Sequence, residues 1–290
     1  DHRDLHSFPT RRSSDLKDTA RTVPWAEDTI VIMNSVAKSM CALCTHILID
    51  RGLVDFDAPV SRYWPEFAAA GKEGVLVRHV LSHRCGVIYC DHAPPGSWFD
   101  WNVHIRAIEQ QAPAWEPGTR GAYNSINIGY ILGEIVRRVT GRSVGRFLRE
   151  EVCGPLGADY HIGLRPDEIR RVSDMHRNPK NTFFRIAADP STPLGRAFRS
   201  APKTGYFQNC REVRELEVPS FGGHGNTRAP ARISARLAGS GATLQFVVAH
   251  WCTTEQKFKE CIFGGDPGWL GCVQPFDRLE ICCRRVASPP

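Results

Sequence analysis

The sequence predicts a fold of the α+β class, and three patterns support this prediction. Residues 34–52 form a long segment that is almost continuously apolar over 36–49, which is typical of a buried helix. A second segment with the apolar spacing of a helix ends at Thr140. Short apolar runs that are typical of strands lie at residues 29–33, 244–249 and 278–283.

The first elements follow one another closely along the chain. The strand at residues 29–33 leads directly into the apolar helix, and Gly52 stands where a glycine commonly ends a helix. Residues 53–67 contain two prolines and predict a surface loop. A short helix is predicted at residues 75–82.

The middle of the chain is predicted to be helical. Residues 102–111 are amphipathic, and the segment that ends at Thr140 is closed by Gly141. Another helix is predicted to begin at Ser143. The apolar positions of the helix before Gly141 keep a 3.6-residue period and are Ile128, Ile131, Leu132, Ile135, Val136 and Val139.

The second half has weaker patterns. Residues 167–219 are polar and irregular, which predicts either a functional lid or a degraded region, since such long structureless stretches are uncommon within a domain. A last helix is predicted at residues 226–237.

Residues 1–16 have no usable periodicity and resemble translated sequencing-adapter sequence. We therefore treat them as a non-native segment and expect one domain over residues 17–290. The expectation follows that the natural N-terminus is missing and that the fold is incomplete there.

The composition excludes some function classes. The chain has 290 residues, an apolar fraction of 42% and a formal net charge of +6. Its arginines are scattered rather than clustered, so the sequence gives no support for nucleic-acid binding. No apolar run is long enough to predict a membrane span.

The eleven cysteines are odd in number and irregularly spaced, so they do not predict a disulfide framework. Cys41 and Cys44 form one C-x-x-C pair, and no second pair with zinc-ligand spacing accompanies it. We expect most cysteines to be small buried apolar residues, and we predict no metal and no cofactor. The compartment is not identified, and the lack of a predicted disulfide framework slightly favours the reducing cytoplasm. A cysteine-rich metal or redox protein is a third reading that rests on the count alone.

Ser35 and Lys38 bring a hydroxyl and an amine to one face of the apolar helix, because positions i and i+3 are neighbours. The N-terminus of a helix favours developing negative charge, and a desolvated lysine can be neutral enough to accept a proton. Alternatively, Ser35 is an N-cap and Lys38 a surface residue. A second Ser-x-x-Lys match, Ser200 to Lys203, has no apolar helix behind it.

The order of several further segments resembles the serine β-lactamase-related family, which includes class C-type β-lactamases, penicillin-binding proteins and EstB-like esterases. Ser35-x-x-Lys38 is followed by Tyr123 in a Tyr-Asn-Ser tripeptide. The resemblance is close over residues 25–163. Other segments that carry it are residues 52–60, 81–86, 115–119, 141–151, 154–158 and 219–225 and, faintly, 262–280.

The resemblance implies an antiparallel sheet flanked by helices (residues 17–59 and 161–290) and an all-helical region (about 60–160), with the active site between them. Ser35 would be the nucleophile, and Lys38 and Tyr123 would share the proton transfers. Ser125 would contact the substrate. His83 and His224 resemble positions that have a structural role.

The third motif of the family, a cationic strand beside the site, is altered. Lys203-Thr-Gly205 lies upstream of where that motif belongs, so we interpret it as coincidental. The better-placed segment is 263–269, where Asp266 replaces the cation and Gly268 and Trp269 complete the proposed substrate-binding wall. An acidic residue disfavours substrates that carry a carboxylate.

The sequence therefore predicts a serine hydrolase that acts through an acyl-enzyme on small-molecule esters or amides, more esterase-like than β-lactamase-like. The alternative is a catalytically impaired or truncated member with a binding or scaffold role, which Asp266 and the altered ends favour.

Overall fold

The computed structural model describes residues 16–176, 183–203 and 207–239, and helices dominate these ranges. A π turn at Arg149–Cys153 links two of the helices, and 3₁₀ turns lie at Val60–Arg62, Pro65–Ala68, Ser97–Phe99 and Phe207–Asn209. The α-helices are α1 (Val36–Asp50), α2 (Val77–Leu81), α3 (Trp101–Gln110), α4 (Asn127–Thr140), α5 (Val144–Leu148), α6 (Gly154–Leu156), α7 (Pro166–Ile169), α8 (Phe183–Ala187), α9 (Pro193–Phe198), α10 (Arg211–Glu215) and α11 (Arg228–Gly239).

In the described part of the chain, three short strands form one antiparallel sheet. The strands are β1 (Val31–Ile32), β2 (Tyr160–Ile162) and β3 (Gly223–Gly225), in the spatial order β1-β3-β2. Val31 and Tyr160 lie opposite the same residue, Gly225, from the two sides of the central strand. The predicted combination of helices and an antiparallel sheet is therefore present.

Helix α1 is the centre of the core, as its apolar sequence predicts. Its side chains from Ala37 to His46 are all buried, and it packs against α4 and α5. The chain leaves α1 through Gly52, whose φ of +70° is accessible to glycine with little strain. The predicted bounds, 34–52, are within two residues of those observed.

Helix α4 lies against α1 and carries the apolar face predicted for it. Small residues on α4 allow close approaches: a Cβ atom at Gly129 would lie 2.5 Å from the Ser220 hydroxyl oxygen and 2.6 Å from the Pro219 carbonyl carbon. Gly141 ends the helix with φ +69°, as the sequence predicts.

Three secondary-structure predictions need correction or fall outside the described residues. The stretch 167–219 is not structureless, because α8, α9 and α10 lie in its described parts. These helices have five or six residues, too few for a helical period to be visible in the sequence. The strands predicted at 244–249 and 278–283 lie outside the described residues. The division into a helical region and a sheet region stays a prediction.

The described cysteines are free thiols, and most of them are buried among apolar side chains, which confirms the interpretation of them as small core residues. The buried members are Cys41, Cys44, Cys85, Cys90 and Cys153.

No helix in the described ranges has the length and hydropathy that crossing a membrane requires.

Substitution of Gly129 by alanine is expected to lower the free energy of unfolding by about 2 kcal/mol or more, because the new methyl group would overlap the Pro219–Ser220 backbone. Urea unfolding monitored by circular dichroism measures this loss. Gly74→Ala is the matched control, since a Cβ there meets no atom within 4 Å. A Gly129→Ala midpoint equal to or above that of Gly74→Ala would contradict the close approach.

Candidate active site

The site is built around Ser35, which lies between β1 and the first turn of α1. Asn34 precedes it with φ +44°, in a left-handed conformation that asparagine tolerates better than most residues. The side chain of Ser35 makes no capping hydrogen bond to α1. Ser35 therefore occupies the N-cap position of α1 without capping it through its side chain, and its hydroxyl is directed to other partners.

Lys38 lies one turn further along α1, and its side chain is only 1% exposed. Its Nζ lies 3.3 Å from the Ser35 Oγ and donates to the Ser220 carbonyl oxygen at 2.8 Å. No carboxylate among the described residues forms a salt bridge with it. Burial lowers the pKa of Lys38 to about 7, so it is not the surface lysine of the alternative reading.

Tyr123 approaches Ser35 from the turn before α4. Its phenolic hydroxyl donates to the Ser35 Oγ at 2.6 Å, and its ring centroid lies 5.1 Å from the Lys38 Nζ. Burial raises the pKa of Tyr123 to about 12, and the bond to Ser35 opposes this rise only in part. The structure thus brings the hydroxyl, amine and phenol that the sequence singled out within hydrogen-bond reach.

The segment that supplies the Ser220 carbonyl is tied to the N-termini of two helices. The Ser220 hydroxyl bonds the Ile126 carbonyl and accepts from the Gly129 N–H at 3.0 Å. The Glu217 carboxylate accepts from the Ser143 hydroxyl at 2.5 Å and from the Gly145 N–H at 2.9 Å. These bonds fix the acceptor of the Lys38 amine, and sequence reasoning missed both residues.

The turn that carries Tyr123 is held in a comparable way. The Asn124 side chain donates to the Val87 carbonyl oxygen at 2.8 Å and accepts from the Ile128 N–H at 3.0 Å. His83 contacts the same turn through its ring and its carbonyl oxygen. The Tyr-Asn-Ser tripeptide was a visible signal, but the role of its central asparagine was not recognised.

Of the remaining predicted site residues, the structure describes one and leaves three outside the described ranges. Ser125 is 7% exposed and lies two residues after Tyr123, in the turn before the N-cap of α4. Asp266, Gly268 and Trp269 lie outside the described residues, so their assignment to the substrate wall rests on the sequence. The Ser35 N–H makes no hydrogen bond to any described residue, and it could donate to a substrate oxygen.

Two other serines show why the motif alone is ambiguous. Ser200, in the second Ser-x-x-Lys match, is buried and accepts from the Trp98 indole at 2.8 Å. Ser97 bonds the His104 ring, which also bonds the Asn127 side chain, but all three are buried. Both arrangements are structural, because neither serine can meet a substrate.

No metal-ligand cluster of three or more His, Cys, Asp or Glu occurs in the ranges described.

Comparison with known proteins agrees with this geometry. A family model described as "Beta-lactamase" matches residues 10–251, which include Ser35, Lys38, Tyr123 and Ser125 but not the segment 263–269. The esterase/beta-lactamase LipL of Mycobacterium tuberculosis (strain ATCC 25618 / H37Rv) is 30% identical over 236 residues, which are 77% of this chain and 54% of that protein. The resemblance inferred from the motifs is confirmed.

Solved structures give the same result for the fold. The crystal structure of a family VIII carboxylesterase matches with a TM-score of 0.69 and 38% identity, over 77% of this chain and 59% of that chain. A penicillin-binding protein homolog from Caulobacter crescentus matches with a TM-score of 0.68 and 36% identity, over 78% and 60%. The predicted β-lactamase/transpeptidase-like fold is confirmed. The chain spans only 54% to 60% of the length of these three proteins.

The buried amine predicts a pH-dependent stability. Lys38 loses its proton near pH 7 in the folded protein, whereas an unfolded lysine keeps it to its ordinary pKa of 10.5. Between these values the unfolded state binds more protons, so the free energy of unfolding rises with pH, by about 1.4 kcal/mol per unit at most.

We subtract the free energy of unfolding of Lys38→Met from that of the wild type, both measured by urea unfolding at pH 7, 8 and 9. We expect this difference in free energy to rise with pH. The difference cancels the contribution of the buried cysteines, which titrate in both proteins. Ser35→Ala is the control that keeps the lysine and should behave as the wild type. A difference that does not change with pH would mean that Lys38 stays charged.

Proposed function

Because the chain belongs to the beta-lactamase family, we propose that it is a serine hydrolase that forms an acyl-enzyme on Ser35. The observation that carries the proposal is the convergence of Tyr123 and Lys38 on the Ser35 hydroxyl, at 2.6 and 3.3 Å. A nucleophile within reach of both a base and an acid is what acyl transfer requires.

The pKa values assign the two proton-transfer roles. With a pKa of about 7, a large fraction of Lys38 is neutral near neutral pH and can accept the Ser35 proton as the hydroxyl attacks a carbonyl carbon. With a pKa of about 12, Tyr123 stays protonated and suits the role of donor to the leaving group. Tyr123 gives its proton to the leaving-group oxygen and takes up the proton that Lys38 accepted from Ser35, which restores the phenol and the neutral amine; both groups lie within hydrogen-bond reach of the Ser35 Oγ.

Charge develops on the carbonyl oxygen during the attack, and the N-terminus of α1 is suited to stabilise it. The Ser35 N–H is one donor at this place, and the partial positive charge of the helix end adds to it. The second donor would come from the backbone after Gly268, with Asp266 and Trp269 on the same wall. Water would complete the cycle by hydrolysing the acyl-enzyme.

The substrate we propose is a small ester rather than a β-lactam. The name of LipL contains both esterase and beta-lactamase, and the structural neighbour is a carboxylesterase, so ester hydrolysis is the activity that the two names share. Asp266, at the position where the family has a cation, would repel the carboxylate of a penicillin or a peptide. Ser125, beside Tyr123, is the residue we propose for a polar contact to the substrate.

Ser35→Ala is expected to abolish hydrolysis of short-chain aryl esters and labelling by a fluorophosphonate probe, since Ser35 carries the hydroxyl that both the amine and the phenol contact. Ester hydrolysis followed by absorbance, and mass spectrometry of the labelled peptide, test this. Ser200→Ala, in the second Ser-x-x-Lys segment, is the control and should keep labelling at Ser35.

Equal hydrolysis by the wild type and Ser35→Ala would refute the nucleophile. A folded wild type that neither hydrolyses esters nor takes the label would favour the binding or scaffold role instead.

The rate should depend on pH through Lys38. Below a pH of about 7 the amine is protonated and cannot accept the serine proton, so kcat/KM is expected to fall about tenfold for each unit below it. Initial rates from pH 5 to 9, corrected with Ser35→Ala for spontaneous hydrolysis, measure this limb. A rate that is constant over pH 5 to 7 would point to a carboxylate base.

A further inference from the structure

We propose that His83 is a positioning residue that holds Tyr123 within reach of the Ser35 hydroxyl, an inference that rests on the proposed function. Three contacts join His83 to the turn that carries Tyr123. The Nδ1 atom accepts from the Asn124 N–H at 2.9 Å, the carbonyl oxygen accepts from the Ala122 N–H at 3.2 Å, and the imidazole stacks on the Tyr123 ring. One residue therefore contacts both neighbours of Tyr123 and its ring.

The stacking geometry restrains the ring directly. The two ring centroids lie 5.3 Å apart and the rings are inclined by only 20°. Rotation of the phenol away from Ser35 would break this face-to-face contact. The hydroxyl of Tyr123 lies only 2.6 Å from the Ser35 Oγ, so a displacement of about 1 Å would cost much of the rate.

The backbone of His83 directs its side chain towards this turn. It leaves the end of α2 with φ +60°, a left-handed conformation that is uncommon for residues other than glycine and in which asparagine, aspartate and histidine are enriched. The conformation is fixed by two bonds in the same loop, from the His83 N–H to the Val80 carbonyl at 3.1 Å and from the Arg84 N–H to the His79 carbonyl at 2.7 Å. This uncommon backbone conformation next to the Tyr123 turn agrees with a positioning role for His83.

His83 is not placed as a second base for Ser35. Its Nδ1 is occupied by the Asn124 N–H, and its ring lies against the face of Tyr123. The described contacts of the His83 ring and carbonyl oxygen reach Tyr123 and its two neighbours in the chain, so we expect its effect on the reaction to pass through Tyr123, and this makes the proposal testable.

The test compares His83→Ala and His83→Asn, each alone and combined with Tyr123→Phe, with Ser82→Ala as the control in the neighbouring exposed position. Rates of aryl-ester hydrolysis and of fluorophosphonate labelling are measured for variants whose circular dichroism matches the wild type. His83→Ala is expected to lower kcat 10- to 100-fold with KM within about twofold. His83→Asn keeps an acceptor for the Asn124 N–H and tolerates the positive φ, so it should recover part of the loss even if the alanine variant does not fold.

In the Tyr123→Phe background, either His83 substitution should change the residual rate less than twofold, because the hydroxyl it positions is already absent. The proposal would be overturned if a His83 substitution lowered the rate by the same factor with Tyr123 and with Tyr123→Phe. It would also be overturned if His83→Ala and His83→Asn both kept the kcat of the wild type. A wild type without activity that depends on Ser35 would overturn the proposed function and this inference together. A wild-type rate that the His83 variants retain would overturn this inference alone.

Discussion

The site depends on the removal of one amine from water. Lys38 is almost completely buried, and its described polar contacts are a hydroxyl and a carbonyl oxygen rather than a carboxylate. Such an environment does not compensate a full positive charge, so the amine titrates near neutral pH. An acidic neighbour would have kept Lys38 charged and useless as a base. The neutral surroundings of Lys38 are therefore as much a part of the site as the lysine itself.

This burial requires close packing of α1, α4 and the segment of residues 216–222. The segment passes directly over α4, and only the absence of a side chain at Gly129 allows the Ser220 backbone to come so near. The bonds of Ser220 and Glu217 to the first turns of α4 and α5 then fix the segment in place. Each of these bonds also satisfies a helix N–H that has no partner within its own helix. The same contacts thus complete the helices and position the acceptor of the Lys38 amine.

Much of this architecture could be predicted from the sequence, because it is local. The period of α1 and the i, i+3 relation of Ser35 and Lys38 are fixed within a few residues. Ser220 and Glu217 could not be found in this way, since their partners lie far away in the chain and a lone serine or glutamate has no distinctive spacing. The helices within 167–219 were missed because elements of five or six residues are set by tertiary packing rather than by periodicity. His83 was recognised as a position, but only the structure connects it to Tyr123.

One physical cause separates the acid from the base in this site. Burial disfavours the charged form of any group, so it lowers the pKa of an amine and raises that of a phenol. Lys38 and Tyr123 are neighbours at Ser35, and desolvation moves their pKa values apart from their similar ordinary values, to about 7 and about 12. Groups whose pKa values have separated in this way take opposite roles in proton transfer. It follows that a change that admits water to this site would bring the two pKa values together again. Such a change would leave Lys38 protonated near neutral pH and unable to accept the Ser35 proton, even if it left every hydrogen bond to Ser35 in place.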